Sequence, residues 1–177
     1  MEDHSFSNTG PDDIRSHLFK TAVRIVLLFV TIAAVESFLF GAFTVKDNDM
    51  FPQIRAGDLA VFFIPESPKR KDTVIYETDD GFRVGRLAAM PGDTVEQTGS
   101  GLLKINGIVQ TPQEREGIYD ETETKRNDIQ YPVRLGKDEF FVLGDNRKTA
   151  VDSRVLGKIK RSEIKGVVFI LIRRQAV

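Results

Sequence analysis

Two aspartates lie two residues apart in a short polar segment that follows a long apolar run. Asp47 and Asp49 could share a proton in an acid–base dyad, or bind a cation such as Ca²⁺ through their oxygens. Neither chemistry is the preferred interpretation, because the sequence offers no further ligands for such a site. We predict no metal site and no cofactor.

A second polar group lies near the C-terminus, where residues 144–154 read GDNRKTAVDSR. Its alternating carboxylates and guanidinium groups suit arginine–carboxylate pairs, which are costly to bury unless they are well made. Arginine does not lose its proton in proteins, so Arg86, which lies elsewhere in the chain, is not a candidate base either. The stretch is therefore more suited to supporting a site than to reacting in it.

Three segments, in this order, resemble the sequence boxes of type I signal peptidases. The stretch from Asp49 to Asp58 resembles S-M-x-P-T-L…GD, and the stretch from Arg86 to Asp93 resembles K-R-x-x-x-x-P-G-D. Residues 144–154 resemble G-D-N-R-x-x-S-x-D-S-R. The resemblance covers roughly residues 25–172 and implies the fold of that family.

The resemblance also implies a Ser–Lys dyad, in which a neutral lysine takes the proton of a serine nucleophile. The nucleophile position is Asp49 here, the base position is Gly85, and the position of the lysine-orienting serine is Ala150. A carboxylate at position 49 also places negative charge near a developing oxyanion. We therefore expect no signal-peptide cleavage, and no catalytic residue is assigned.

The remaining matches imply a cleft without its reactive groups. The binding cleft is expected to include Asp47, Asp49, Met50, Phe51, Pro52 and Gly85. Its structural support is expected from Arg86, Asp145, Asn146, Arg147, Asp152 and Arg154. Such a cleft can still bind an extended segment by β-augmentation, which relies on backbone hydrogen bonds.

Composition excludes several other classes of protein. The 177 residues include 25 Lys and Arg against 26 Asp and Glu, so no nucleic-acid-binding surface is predicted. Cysteine is absent, which excludes disulfides and thiol chemistry. Both histidines, His4 and His17, precede the apolar run, so a Ser-His-Asp triad in the folded body is excluded.

Residues 25–45 form the apolar run and are long enough to cross a bilayer as a helix. Glu36 lies near its midpoint, where it makes the span marginal or contacts a partner helix. Arg15, Lys20 and Arg24 precede the run, which predicts a cytoplasmic tail over residues 1–24 and an extracytoplasmic body. A cleaved signal peptide is the alternative, but the run exceeds the usual length of 7–15 residues.

Residues 46–177 read as a mainly β body. Strands are predicted at 59–64, 73–76, 82–87, 140–143 and 166–172, and Asn106-Gly107 predicts a tight hairpin between 102–105 and 108–109. We expect a signal-peptidase-like antiparallel β body, with a core of about residues 46–92 and 137–177. A smaller β region would be inserted at about residues 93–136, including a charged loop at 114–128.

The combination also resembles the signal-peptidase homologues of SipA type from Gram-positive pilus loci. That resemblance implies a non-catalytic, chaperone-like role in sortase-dependent pilus assembly at the cell membrane, with pilin subunits or the pilus sortase as partners. Two alternatives stay open. One is a peptidase with an unconventional mechanism, and the other is a regulator of an active signal peptidase.

Overall fold

A computed structural model describes residues 11–64, 67–99, 101–110 and 129–173 of the chain. It contains a long N-terminal helix, α1 (Pro11–Leu39), and a β body that begins at Phe40. The stretch Arg15–Leu39, 25 residues, is long and apolar enough to cross a membrane, and an 18-residue segment within it has a mean hydropathy of 2.2. The charged loop expected at 114–128 lies outside the described residues.

The helix does not coincide with the apolar run 25–45 at either end. The helix begins at Pro11, inside the segment expected to be a tail. It ends at Leu39, and Phe40–Thr44 forms strand β1 instead of the last turns of a helix. A continuous apolar run does not distinguish helix from strand, and pairing of β1 with β2 decides the conformation here.

Glu36 consequently lies three residues before the end of α1 and not at the middle of a span. A carboxylate within the last turn can reach the polar interface, so the cost of about 2.5–3.5 kcal/mol for a charge at the helix centre does not apply in full.

Seven antiparallel strands form the larger sheet, in the order β1-β2-β11-β3-β4-β9-β10. Its strands are β1 (Phe40–Thr44), β2 (Leu59–Phe63), β3 (Thr73–Thr78), β4 (Gly81–Ala89), β9 (Glu139–Leu143), β10 (Ile159–Lys160) and β11 (Ile164–Ile172). The five strands predicted for this sheet are all present. The sequence did not predict β1 or the two-residue β10.

Four strands from the middle of the chain form the second sheet, in the order β7-β6-β5-β8. They are β5 (Thr94–Gln97), β6 (Leu103–Ile105), β7 (Ile108–Val109) and β8 (Val133–Arg134), all within the expected insertion. Asn106 and Gly107 join β6 to β7 with φ angles of 52° and 79°. Both angles are positive, as the predicted tight turn requires.

The body is mainly β with two antiparallel sheets, and three clusters of buried side chains hold it together. Val74, Tyr76, Leu87 and Val142 belong to the first cluster. The second joins strands of both sheets through residues such as Val95 and Phe141. The third packs Val45, Met50 and Ile54, which follow β1, against Ala60, Ile75 and Val84.

Candidate functional site

The loop between β1 and β2 carries Asp49, the residue at the expected nucleophile position. Asp49 is only 6% exposed, and its carbonyl oxygen accepts a hydrogen bond from the Asn146 N–H at 2.8 Å. Its own N–H donates to Oδ1 of Asp47 at 3.2 Å. The loop is therefore held against residues 144–152, and the first and third of the expected boxes lie side by side.

Arg83 on β4 is the cation of this site, and the sequence analysis did not identify it. Its Nη1 lies 3.0 Å from Oδ2 of Asp49 and 3.7 Å from Oδ2 of Asp47. Its Nη2 lies 3.9 Å from Oδ2 of the exposed Asp80. Arg83 and Gly85 are two residues apart on one strand, a spacing that places both on the same face. The two-residue spacing from Gly85 was the sequence feature from which a role of Arg83 in the site could have been predicted.

Burial raises the pKa of Asp49 to about 6, and repulsion from Asp47 adds to the shift. The positive charge of Arg83 and the hydrogen bond from the Val151 N–H, at 3.4 Å, oppose it. The cost of desolvating the carboxylate thus exceeds the gain from its ion pair. Asp49 is mostly ionised at neutral pH and titrates within a slightly acidic range.

Gly85, at the expected base position, is closed off by packing. A Cβ built at Gly85 would overlap Cγ1 of Val142 and would lie 3.1 Å from Cε1 of Tyr76. Both neighbours are buried in the first core cluster. Gly85 therefore does not line an open cleft, and its assignment to the binding cleft is corrected. Any side chain at this position has to displace Val142.

Ala150, the position of the lysine-orienting serine, packs against the backbone of the same region. Its N–H donates to the Asn146 carbonyl at 3.0 Å. A Cβ built at Gly144 would overlap the Ala150 Cβ and lie 2.7 Å from the Asp49 carbonyl oxygen. Glycine at 144 thus allows the loop carrying Ala150 to approach the loop carrying Asp49.

The expected supporting residues form two well-made ion pairs. Arg86 donates from Nε and Nη2 to the fully buried Asp145 at 2.8 and 2.6 Å, and from Nη1 to the Lys71 carbonyl. Asp152 accepts from the Nε of Arg154 at 2.9 Å and from the Gly144 N–H at 2.8 Å. The first pair joins β4 to residues 144–154, and the contacts of Asp152 lie within that stretch.

The other two residues expected to support the cleft are Asn146 and Arg147. Asn146 donates from Nδ2 to the Asn48 carbonyl at 3.2 Å, in addition to its backbone contact with Asp49. The Arg147 N–H donates to the Asp145 carbonyl at 3.0 Å. Ser153, next to Asp152, is fully buried and its Oγ accepts from the Val142 N–H at 2.9 Å.

Met50 was expected to line the binding cleft, but the structure places its side chain in the core. It is 1% exposed, lies in the third core cluster, and its sulfur accepts from the Asp145 N–H. Phe51 is half-buried beneath the Arg55 guanidinium, 5.4 Å from its ring centre, and Pro52 is exposed. The accessible surface of the site is therefore formed by Asp47, Phe51 and Pro52, and Asp49 lies behind it.

The carboxylates of this site face a guanidinium group. Asp47 and Asp49 share Nη1 of Arg83, and the described residues hold no group of three His, Cys, Asp or Glu that could bind a metal ion. The further ligands that a cation site would need are therefore not placed beside this pair.

A sequence profile described as "Signal peptidase, peptidase S26" matches residues 18–172 of the chain. The match covers the helix, both sheets and the site. The chain belongs to this signal peptidase family.

Signal peptidases of Gram-positive bacteria are among its relatives. Signal peptidase I of Bacillus licheniformis is 31% identical over 167 residues, covering 86% of this chain and 87% of that protein. Signal peptidase I S of Bacillus subtilis (strain 168) is 27% identical over 162 residues, with the same coverage. A crystal structure of a signal peptidase I from Enterococcus faecalis V583 matches with 26% identity and a TM-score of 0.47, covering 59% of this chain and 98% of that one.

The three sequence boxes that resemble those of signal peptidases contain Asp49, Gly85 and Ala150, and the structure shows which of these residues lie close together. Asp49 and Ala150 lie on adjoining loops, linked by the Val151 N–H. Gly85 faces Val142 and Tyr76 instead of Asp49. The side chain that β4 directs to Asp49 is that of Arg83. The apolar part of α1 is consistent with a single-pass membrane anchor, as in signal peptidases.

Proposed function

We propose that this signal peptidase homologue is non-catalytic and binds an extended segment of a partner at the site around Asp49. One observation carries the proposal. The carboxylate of Asp49, at the nucleophile position, forms an ion pair with Arg83 at 3.0 Å, so its negative charge is balanced by a residue of the same protein. A guanidinium keeps its proton, so Arg83, the cation that contacts Asp49 among the described residues, cannot serve as the base.

The position of the missing base supports the same proposal. In a Ser–Lys mechanism a lysine must be buried beside the nucleophile so that it stays neutral. Val142 and Tyr76 occupy the space next to Gly85, where such a side chain would start. The site thus lacks both the lysine and the room for it. A carboxylate acting alone would have to attack an amide without proton transfer and would form an anhydride.

The retained parts suit binding. The ion pairs Arg86–Asp145 and Arg154–Asp152 hold residues 144–154 in place without using the Asp49 carboxylate. Phe51 and Pro52 present apolar surface at the front of the site, and a peptide that pairs with its backbone needs no dyad. The resemblance to pilus-locus homologues suggests the setting: an accessory factor in sortase-dependent pilus assembly, anchored in the cell membrane by α1.

A site-specific crosslinking experiment tests the proposal. A photoreactive amino acid is placed at Pro52, with a matched control at Ile108, which is 69% exposed on the second sheet. We expect pilin or pilus sortase to crosslink at 52 and not at 108. Capture of an active signal peptidase at 52 would support the regulator instead. Equal yields at both positions would contradict a binding site at Asp49.

Cleavage is tested separately with purified full-length protein and a preprotein. We expect no cleavage. Any cleavage that disappears in Asp49→Ala would overturn the non-catalytic assignment and establish an unconventional peptidase. The crosslinking result does not depend on this assay, so the binding role and the absence of catalysis are tested independently of each other.

A further inference from the structure

Three aspartates share one arginine at the site around Asp49. Nη1 of Arg83 lies 3.0 Å from Oδ2 of Asp49 and 3.7 Å from Oδ2 of Asp47. Nη2 of Arg83 lies 3.9 Å from Oδ2 of Asp80. Within the described part of the chain, every ion pair of these three carboxylates involves this guanidinium. When all four groups are ionised, three negative charges against one positive charge leave two negative charges in excess.

The aspartates that support the neighbouring segment are paired differently. Asp145 has Arg86 as a partner of its own, and Asp152 has Arg154. Both carboxylates are buried, and a charge removed from water is stable only with a well-made partner. Three carboxylates at a single guanidinium do not meet this requirement. Support of the fold therefore does not account for the surplus of negative charge at Arg83.

The three carboxylates lead from solvent toward the inside of the site. The side chain of Asp80 is 81% exposed, that of Asp47 is 28% exposed and that of Asp49 is 9% exposed. Negative charge that lines an entrance raises the local concentration of cations and disfavours anions. A positively charged group can therefore approach along Asp80 and reach Asp47 from solvent.

Two carboxylate oxygens of the pair Asp47–Asp49 have no hydrogen-bond donor among the described residues. Oδ1 of Asp47 accepts from the Asp49 N–H, but its Oδ2 lies 3.7 Å from Arg83, too far for a hydrogen bond. Oδ2 of Asp49 accepts from Arg83 and from the Val151 N–H, and neither of these donors reaches Oδ1. Each carboxylate thus keeps one oxygen for a donor that the described part of the chain does not supply.

The hydroxyl of Tyr76 is a third polar group without a hydrogen bond to the described residues. Tyr76 lies opposite Arg83 in the ladder of β3 and β4, and only 1% of it is exposed. Burial raises the pKa of its phenol. The charges of Asp152, Asp49 and Asp47 add to the shift and that of Arg83 opposes it, so the hydroxyl lies among these groups. Buried phenols ordinarily have a partner, and a missing one marks a place that a ligand can fill.

An ammonium group matches this set of acceptors. A lysine ammonium carries three donors and no acceptor, and the free acceptors are Oδ2 of Asp47, Oδ1 of Asp49 and the Tyr76 hydroxyl. Its positive charge also offsets the repulsion between Asp47 and Asp49, which contributes to the raised pKa of Asp49. A backbone N–H or a hydroxyl supplies one donor and leaves the surplus of charge in place.

We propose that the extended segment bound at this site carries a lysine, whose ammonium is held by Asp47, Asp49 and the Tyr76 hydroxyl. The inference rests on the proposed binding function and names the side chain that the site selects. Asp80 attracts the ammonium at the entrance, and Arg83 stays in place as the internal partner of Asp49. The flexible four-carbon stem of lysine allows the compact ammonium to reach behind the front of the site.

Competitive capture of synthetic peptides tests the inference in the full-length protein in detergent. The protein carries a photoreactive amino acid at Pro52, and the probes are extended octapeptides of Ala, Ser, Thr and Val that are blocked at both ends. One position holds Lys, norleucine or Glu in equal amounts, and norleucine keeps the aliphatic stem of lysine without the ammonium. Mass spectrometry of the captured peptides should show Lys about fivefold above norleucine, and Glu below it.

The outcomes separate the inference from the function on which it rests. Capture at 52 with equal yields for the three side chains would overturn the lysine inference and leave the binding function supported. A preference for Glu would do the same. Capture at 52 no greater than with the photoreactive group at Ile108 would refute the binding function, and the inference with it.

Neutral substitutions of matched shape locate the ammonium. Asp47→Asn should lower the ratio of captured Lys to norleucine to about twofold or less, because it removes a charge and an acceptor at the same place. Asp138→Asn removes the same charge at an exposed residue before β9 and should leave the ratio at about fivefold. Equal reductions in the two variants would mean that net charge attracts lysine, and the inference is wrong.

The pH provides a readout that a purely structural role of Asp49 would not change. Burial, with repulsion from Asp47, raises the pKa of Asp49 to about 6, so this carboxylate is mostly protonated at pH 5 while lysine keeps its charge. The charged and titratable groups that face it from the surrounding elements are Asp47, Arg83, Tyr76 and Asp152. The Lys to norleucine ratio should fall about threefold from pH 7.5 to pH 5. Asp49→Asn should remove most of this dependence, and a constant ratio in the wild type would contradict a contact between Asp49 and the ammonium.

Discussion

Arg83 donates a hydrogen bond from Nη1 to Oδ2 of Asp49 at 3.0 Å, across 34 residues of sequence. This contact joins β4 to the loop after β1, the two parts of the fold from which a signal peptidase would need its base and its nucleophile. In this chain the two positions are occupied by an ion pair, and the arginine of that pair does not release its proton. The proposed loss of catalysis rests on this exchange of reactive groups for an ion pair.

Restoring the nucleophile should not restore cleavage. Asp49→Ser lacks a base at position 85, so we expect no processing of a preprotein followed by gel electrophoresis. The double variant Asp49→Ser/Gly85→Lys should also fail, since Val142 occupies the space that a lysine Cβ needs. The Bacillus licheniformis relative serves as the active control. Robust activity of Asp49→Ser alone would disprove the assigned positions.

Gly85 and Val142 should show coupled stabilities. Gly85→Ala overpacks the first core cluster and should lower the free energy of unfolding by about 1–3 kcal/mol. In a Val142→Ala background, Gly85→Ala should cost at least about 1 kcal/mol less, because the overlapping methyl group is gone. A difference of this size is on the order of the coupling energy between residues in contact. Urea unfolding of the four proteins of this cycle measures the coupling. Additive effects would show that the two positions do not share space.

Asp49 should make stability depend on pH in the direction set by its raised pKa. The folded pKa is about 6 against an ordinary value of 3.8, so the folded protein retains a proton that the unfolded chain releases between these values. This contribution to stability is fully present below about pH 4 and is lost as the pH rises through about 6. Two pKa units correspond to roughly 3 kcal/mol.

Asp49→Asn isolates the effect, because it keeps the shape of the side chain and removes its titration. The unfolding free energy of the wild type minus that of the variant should fall between pH 4 and pH 7, with unfolding followed by tyrosine fluorescence in detergent. A difference that rises over this range would mean that the Arg83 pair outweighs burial and lowers the pKa.

Arg86 should be more important for stability than an exposed arginine. Arg86→Met leaves the fully buried Asp145 without its bidentate partner, and breaking a buried pair costs about 3–5 kcal/mol. Arg134→Met, on the exposed side of β8, is the matched control and should change stability by less than about 0.5 kcal/mol. Similar midpoints of thermal unfolding for both variants would show that Asp145 finds another partner.

The sequence predicted the features that depend on local chemistry. The strand residues 73–76 and 82–87 and the Asn106-Gly107 turn follow from side-chain type and backbone preference within a few residues. The family resemblance provided the positions 49, 85 and 150. The retained residues Arg86, Asp145 and Asp152 form the contacts expected of supporting groups.

Features that depend on strand pairing were not predicted. Phe40–Thr44 has the composition of the helix before it, and only pairing with β2 makes it a strand. Met50 was expected in the cleft because the family box includes it, but the loop turns its side chain into the core. The roles of Arg83 and Val142 depend on the register of β4 against its neighbours, which a single sequence does not contain.

The packing of Val142 against Gly85 has an evolutionary consequence. A lysine gained at position 85 is opposed by the core until residue 142 has become smaller, and a smaller residue at 142 first leaves a cavity. Each order of substitution passes through a less stable intermediate that lacks any catalytic benefit, since Arg83 still holds Asp49. Selection for stability alone therefore opposes a lysine at position 85, whichever of the two substitutions comes first.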